Sequence, residues 1–254
     1  MPATNDLILL GLAALGAGFI DAVAGGGGLI QVPALLLTLP NETPATIFGT
    51  NKFSSVFGTL NATWRYKRNI RLPWRSVLLP ASLAAFVFAL AGAAVVSWLP
   101  KETLRPLVLA LLVVVWLYTA MKPDFGKVRG HVLARPLLPA LVLGSVIGFY
   151  DGFFGPGAGS FLIFGFVRFF ALDFLLASAC AKVVNLTTNI AALSWFIPHG
   201  QIIWPLAATM AICNVVGAGI GSRLAIRHGS GFVRGAFLFV VGLLIIKIGC
   251  DTYA

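Results

Sequence analysis

Four charged residues stand alone in long apolar stretches of the sequence. They are Asp21 in 7–39, Lys52 in 43–64, Asp151 in 136–167 and Lys182 in 174–198. A charged side chain inside a membrane costs about 2.5–3.5 kcal/mol on insertion scales, so a retained one invites a functional explanation. A lysine there can attract a small anion or pair with a carboxylate, whereas a lysine that reaches an interface would be structural.

The two aspartates are the candidate proton-coupling residues. Burial favours the neutral form of a carboxyl group, which suits a group that takes up and releases a proton. Asp21 and Asp151 each precede a glycine cluster by four residues. Each carboxylate could therefore instead accept N–H hydrogen bonds from its own glycine turn and carry no proton.

The glycine clusters are the candidate substrate-binding elements. They contain Gly25, Gly26, Gly27, Gly28, Gly155, Gly157 and Gly159. Such a cluster breaks a helix and frees backbone N–H groups at membrane depth, where they need a polar partner. The helix that begins after the break presents N–H groups with a partial positive charge, which favours an anion. The alternatives are close helix packing through small residues and a simple kink.

Polar side chains close to the lysines complete the predicted substrate site. Asn51 directly precedes Lys52, and Asn185 follows Lys182 by three positions. We expect both asparagines, together with both lysines, to bind substrate. Hydrogen bonding between helices is the alternative role for each asparagine.

The composition and the apolar runs define the elements that must position these residues. The chain is 59% hydrophobic and 10% charged, which indicates a protein whose solvent is the lipid bilayer. Because a helix needs about 20 residues to cross the hydrocarbon, we count about eight apolar segments. They are 7–39, 43–64, 77–99, 106–121, 136–167, 174–198, 201–222 and 232–249. Apart from Lys52 and Lys182, the basic residues behind the net charge of +10 cluster at the ends of these segments, which indicates a membrane and no nucleic-acid partner.

The sequence repeats itself at an offset of 130 positions. This offset pairs Asp21 with Asp151 and Lys52 with Lys182, without a gap. We therefore predict an all-α membrane protein of two four-segment repeats, residues 1–125 and 126–254. Equivalent loops of the two halves differ in basic residues, which predicts inverted halves. Inversion needs an odd number of crossings, so we expect the first segment of each half to break at its glycines. That break would make it a re-entrant hairpin or two half-helices, and eight plain spans are the alternative.

Patterns typical of enzymes and metal sites are missing from the sequence. The three cysteines have no CxxC spacing, and the apolar segments contain neither a His-Glu-x-x-His pair nor a Gly-x-Ser-x-Gly elbow. We therefore expect no catalytic residues, no metal and no enzymatic activity.

The combined pattern resembles the TauE/SafE sulfite exporter family of membrane transporters. The resemblance rests on 18–28, on the Gly-Thr-Asn-Lys run 49–52, on 148–159 and on 181–185. It implies a multi-pass secondary transporter of the cytoplasmic membrane that exports small sulfur-containing anions such as sulfite or an organosulfonate, without a cofactor. Another small organic or inorganic anion, or a channel or membrane scaffold, is the alternative. The expected partners are the anionic substrate and the lipid bilayer, and a homodimer is a possible assembly. The second half has Ala181 where the first has Asn51, so the half-sites need not contribute equally.

Overall fold

The described part of the chain is built of helices. This computed structural model describes residues 4–98, 117, 136–172 and 174–228. Its helices are α1 (Thr4–Ala24), α2 (Gly28–Thr38), α3 (Pro44–Asn69), α4 (Leu79–Val96), α5 (Leu137–Phe153), α6 (Ala158–Phe170), α7 (Phe174–Phe196) and α8 (Trp204–His228). A π-helical turn, Trp74–Leu78, leads into α4. The predicted segments 106–121 (residue 117 apart) and 232–249, and the boundary between the halves, lie outside the described residues.

Several helices have the length and composition of membrane spans. Four described helical stretches qualify: Asp6–Ala24, Trp74–Val96, Leu175–Phe196 and Trp204–Arg227. The helices α2, α5 and α6 are apolar but shorter. Large apolar side chains such as Leu12, Leu83, Val146 and Ile212 are exposed on the outside of the bundle. Lipid tails are the solvent that such a surface requires. For the described residues, the prediction of a membrane protein built of α-helices is therefore confirmed.

Local sequence explains where the helices beside the site begin and end. The Thr43 hydroxyl accepts a hydrogen bond from the Thr46 N–H at 3.2 Å, and Pro44 occupies the first position of α3, so this start is well capped. The α1 helix ends where the Gly25 N–H donates to the Asp21 carbonyl at 3.0 Å and Gly25 takes a φ of 75°. Residues with a Cβ avoid that left-handed conformation, so a glycine is required at this turn.

Each glycine break is a tight turn that sends the chain back beside the helix it has just left. A Cβ on Gly27 would lie 2.6 Å from the Ala17 carbonyl oxygen, about two turns before the end of α1. Further along, Leu35 of α2 packs with Leu10 of α1. In the second repeat a Cβ on Gly165 of α6 would meet the Leu143 side chain of α5. In both repeats the chain thus turns back on itself at the glycines, as in a helical hairpin.

The most extensive helix–helix contacts lie between the two sequence repeats. The α1 helix lies along α8, and α5 lies along α4. Within each pair the contacts advance in the same direction along both helices: Gly11 with Cys213, Leu15 with Gly217 and Phe19 with Gly221; then Ala81 with Gly144, Ala85 with Gly148 and Ala89 with Gly152. Small residues at these points let the backbones approach closely, as in other membrane helix pairs. The first helix of each repeat is therefore packed on the fourth helix of the other.

Candidate functional site at the two glycine turns

Lys52 forms a buried ion pair with the second repeat. Its Nζ lies 2.6 Å from Asp151 Oδ1, and both side chains are only 3% exposed. The hydroxyl of Thr188, on α7, donates to the other carboxylate oxygen of Asp151. Lys52 therefore does not extend to a membrane interface, and its charge is compensated inside the protein.

Lys182 forms the corresponding pair with the first repeat. Its Nζ lies 2.9 Å from Asp21 Oδ2, with the lysine side chain fully buried and the aspartate 17% exposed. Thr59, on α3, donates to the same oxygen at the longer distance of 3.5 Å. The carboxylate thus accepts hydrogen bonds from a lysine and a threonine of other helices, a different arrangement from the expected bonds to its own glycine turn.

The two ion pairs lie at different depths. On α3, Lys52 contacts Asp151 while Thr59 contacts Asp21; on α7, Lys182 contacts Asp21 while Thr188 donates to Asp151. At a rise of 1.5 Å per residue, these spacings separate the pairs by roughly 10 Å along the helix axes. Exchanging the repeats exchanges the pairs, since Lys52 corresponds to Lys182 and Asp21 to Asp151.

The two glycine turns touch each other. The Ser160 N–H donates to the Gly25 carbonyl oxygen at 3.1 Å, and its hydroxyl donates to the Ala24 carbonyl oxygen at 2.6 Å. A Cβ on Gly159 would lie 2.5 Å from Gly25 Cα, closer than side-chain atoms approach in practice. One freed N–H of the second turn is therefore met by the first turn, and both glycines are required for close packing.

The other predicted glycines lie around this crossing. A Cβ on Gly28 would meet Pro156 at 3.1 Å, and one on Gly155 would lie 3.4 Å from Lys52 Nζ. Gly157 caps the start of α6 with a positive φ. Gly26 and Gly27 complete the first turn, where the Gly26 and Gly27 carbonyls accept from the first turn of α2. The starts of α2 and α6 are thus both at the contact between the repeats.

The two predicted asparagines have different surroundings. Asn51 is buried, and its Oδ1 has no hydrogen-bond partner in the described part of the chain. Asn185 is also buried, and its Oδ1 accepts a hydrogen bond from Asn189 Nδ2 at 3.1 Å, one turn further along α7. Asn185 therefore belongs to a polar stripe on one helix, while Asn51 retains an acceptor to offer.

A second buried polar cluster was not anticipated from the sequence. Gln31 on α2 donates to Ser54 Oγ on α3 at 2.7 Å and accepts from Asn214 Nδ2 on α8 at 3.2 Å. The signal was available, because glutamine and asparagine are costly inside apolar segments. The internal repeat gives no indication of this cluster, since the offset of 130 places Phe161 opposite Gln31. Among the described residues, no group of three or more His, Cys, Asp or Glu side chains is placed to hold a metal ion.

Comparison with known proteins shows to which family of transporters the chain belongs. The family model described as sulfite exporter TauE/SafE matches residues 10–248. A probable membrane transporter protein of Sinorhizobium sp is 36% identical over 249 residues, 98% of this chain and 94% of that protein. The probable membrane transporter protein YfcA of Escherichia coli (strain K12) is 34% identical, over 97% of this chain and 91% of its own length. One from Haemophilus influenzae is 31% identical over 92% of this chain and 91% of its own length.

No solved structure matches the chain significantly. The family match and the relatives both extend over nearly the whole sequence, including the two glycine turns and the four paired charges. This chain is a membrane protein with several apolar helices, and it belongs to the sulfite exporter TauE/SafE family of membrane transporters.

Proposed function

We propose that this chain is a secondary transporter that exports small sulfur-containing anions, such as sulfite or an organosulfonate. The observation that carries the proposal is the reciprocal pair of salt bridges inside the bundle, Lys52 with Asp151 and Lys182 with Asp21, beside the two touching glycine turns. A buried ammonium is a binding partner for an anion once its carboxylate is neutralised or displaced. The name of the family supports sulfur oxyanions as the substrate class.

Substrate binding is assigned to the lysines, the glycine turns and the two asparagines. The starts of α2 and α6 supply partly positive N–H groups next to the lysines, which favours an anion between them. Asn51 and Asn185 line the same helices as Lys52 and Lys182, one turn or less away. A site of fixed N–H donors and one ammonium suits a compact, negatively charged substrate.

The contact directions support two inverted halves. The α1 and α3 helices both run parallel to α8, and α5 runs parallel to α4. The ends of α4 and α7 meet the loop before α8, where Ser97 contacts Gln201 and Trp195. These contacts make α1 and its equivalent α5 run in opposite directions, and α3 and its equivalent α7 likewise. We propose inverted repeats on this basis, with the boundary near 125/126 taken from the sequence offset.

The charges at the helix ends support an orientation in the cytoplasmic membrane. Apart from the two buried lysines, the basic residues of the described segments lie at one end of the bundle: Arg65, Lys67, Arg68, Arg71, Arg75, Arg168, Arg223 and Arg227. The opposite end carries Glu42 and His199. Lysine and arginine concentrate on the cytoplasmic side of inner-membrane proteins. We propose that the basic end faces the cytoplasm.

Flux measurements with purified protein in liposomes test the substrate class. Labelled sulfite and sulfoacetate are offered to proteoliposomes under an imposed pH gradient, an imposed membrane potential, both, or neither. We expect protein-dependent flux of at least one of these anions, and flux of an unrelated small anion such as acetate provides the specificity control. If neither sulfur anion moves, the proposed substrate class is wrong.

A further inference from the structure

The two ion pairs differ in how completely the carboxylate is held. Both oxygens of Asp151 are engaged, one by Lys52 and the other by Thr188, and the side chain is 3% exposed. For Asp21 the hydrogen bonds from Lys182 and Thr59 both fall on Oδ2, and Oδ1 receives neither of them. Asp21 is also the more exposed carboxylate, at 17%. A proton can therefore reach Asp21 Oδ1 without breaking an existing hydrogen bond.

Resting on the proposed anion transport, we infer that Lys182–Asp21 is the working pair and that Lys52–Asp151 remains closed through the cycle, so that of the two lysines proposed above only Lys182 binds the anion directly. A proton from solvent adds to Asp21 Oδ1, which leaves the carboxyl group neutral. The Lys182 ammonium then lacks a counter-charge in a low-dielectric site, and a substrate anion takes the place of the carboxylate. One proton therefore enters the site with each anion.

The groups that face Asp21 agree with this assignment. Lys182 of α7 is its charged partner, and Tyr66 of α3 is close by, with its hydroxyl donating to the Ala22 carbonyl oxygen at 2.9 Å. The α2 helix contains no titratable residue. The charged residues of α8 and α6 lie near their C-terminal ends, among the basic cluster: Arg223, Arg227 and Arg168. Within the described segments, Asp21 thus has one cation at ion-pair distance, and its protonation frees that cation.

The ratio of one proton per anion also determines for which substrate charge the membrane potential drives export. A monoanion that moves with one proton carries no net charge, so the membrane potential does not drive it. A dianion that moves with one proton carries one negative charge, and a potential that is negative inside drives it outward. Sulfoacetate, with a sulfonate and a carboxylate, has the required two charges. The inference therefore favours dianionic sulfur compounds as exported substrates.

Two matched variants test the inference in proteoliposomes in which pH gradient and potential are set separately. We expect Asp21→Asn to keep exchange of labelled for unlabelled anion while losing the pH dependence, which in the parent approaches about tenfold in accumulation per pH unit for one proton. We expect Asp151→Asn to lower thermal stability and total flux but to keep the parental pH dependence. If Asp151→Asn does not fold, Thr188→Val, which removes one hydrogen bond from Asp151, replaces it.

The outcomes separate this inference from the proposed function. A parent protein with sulfur-anion flux, but with equal pH profiles in the Asp21 and Asp151 variants, would overturn the inference alone. Loss of pH dependence only in the Asp151 variant would also overturn it. A parent protein without such flux would overturn both the inference and the function on which it rests.

Discussion

The substitution Gly159→Ala tests whether contact between the glycine turns is essential to the fold. A Cβ at this position would lie 2.5 Å from both the Cα and the carbonyl oxygen of Gly25. Both atoms belong to backbone at a closed turn, so no flexible side chain can move aside. The turns would have to separate by several tenths of an ångström, which stretches the 3.1 Å hydrogen bond from the Ser160 N–H to Gly25.

The expected cost follows from these contacts. Forcing an extra carbon into a close-packed site costs about 1–3 kcal/mol, and weakening one buried hydrogen bond adds about 1 kcal/mol. The better helix propensity of alanine returns at most about 1 kcal/mol, since Gly159 lies in the first turn of α6. The net loss is therefore about 1–3 kcal/mol, or a melting temperature lowered by roughly 3–10 °C for a chain of this size.

Thermal unfolding in detergent and anion flux in proteoliposomes measure this effect. Gly16→Ala is the matched control, because a Cβ on Gly16 of α1 would meet nothing within 4 Å. We expect the control to unfold at or slightly above the parental temperature and to transport normally. Equal stability and flux in the Gly159→Ala and Gly16→Ala proteins would refute the close contact between the turns.

Three further predictions concern the charges. Lys182→Ala should abolish anion flux while the protein still folds, because its partner carboxylate is partly exposed; flux equal to the parent's would contradict this role. Lys52→Met should destabilise the protein by about 3–5 kcal/mol, because it leaves the Asp151 carboxylate buried without a partner. Adding Asp151→Leu should restore most of that stability, since a lone buried charge costs more than an apolar pair. Thermal unfolding that finds the double variant no more stable than the single one would contradict this. In a background without native cysteines, Arg68→Cys should react with an impermeant maleimide from the cytoplasmic side and His199→Cys from the other side; labelling of both from one side would rule out the proposed orientation.

Sequence alone predicted the helical membrane class, the breaks at the glycines and the presence of four charged residues inside apolar segments. Each is a local property, because burial cost and helix breaking depend on residue type and immediate neighbours. The pairing of the charges is not local: Lys52 and Asp151 are 99 residues apart, and Lys182 and Asp21 are 161 apart. The repeat predicted equivalent roles for the two lysines. It did not predict that each lysine pairs with the aspartate of the other repeat.

The features that break the repeat were the hardest to predict. Thr188 corresponds to Gly58 in the first half, so the offset gave no reason to place a hydroxyl on Asp151. Gln31 and Asn214 have apolar equivalents and were hidden in otherwise apolar segments. Differences between the halves matter because an inverted repeat with two identical half-sites would have no preferred carboxylate for the proton. The difference in exposure and hydrogen bonding between Asp21 and Asp151 therefore becomes visible only in the folded protein.

In the mechanism that we infer, the placement of the Lys182–Asp21 pair between the repeats would link ligand binding to movement of the repeats. A buried salt bridge adds little net stability over apolar packing, because the loss of hydration offsets the attraction between the charges. Separating the two partners without compensation is far more costly, since each charge is then buried alone. A proton on the carboxylate and an anion on the lysine remove that cost together. In that mechanism, movement of one repeat against the other at Lys182–Asp21 would be favourable when both are bound and unfavourable when only one is, which would couple the anion to the proton.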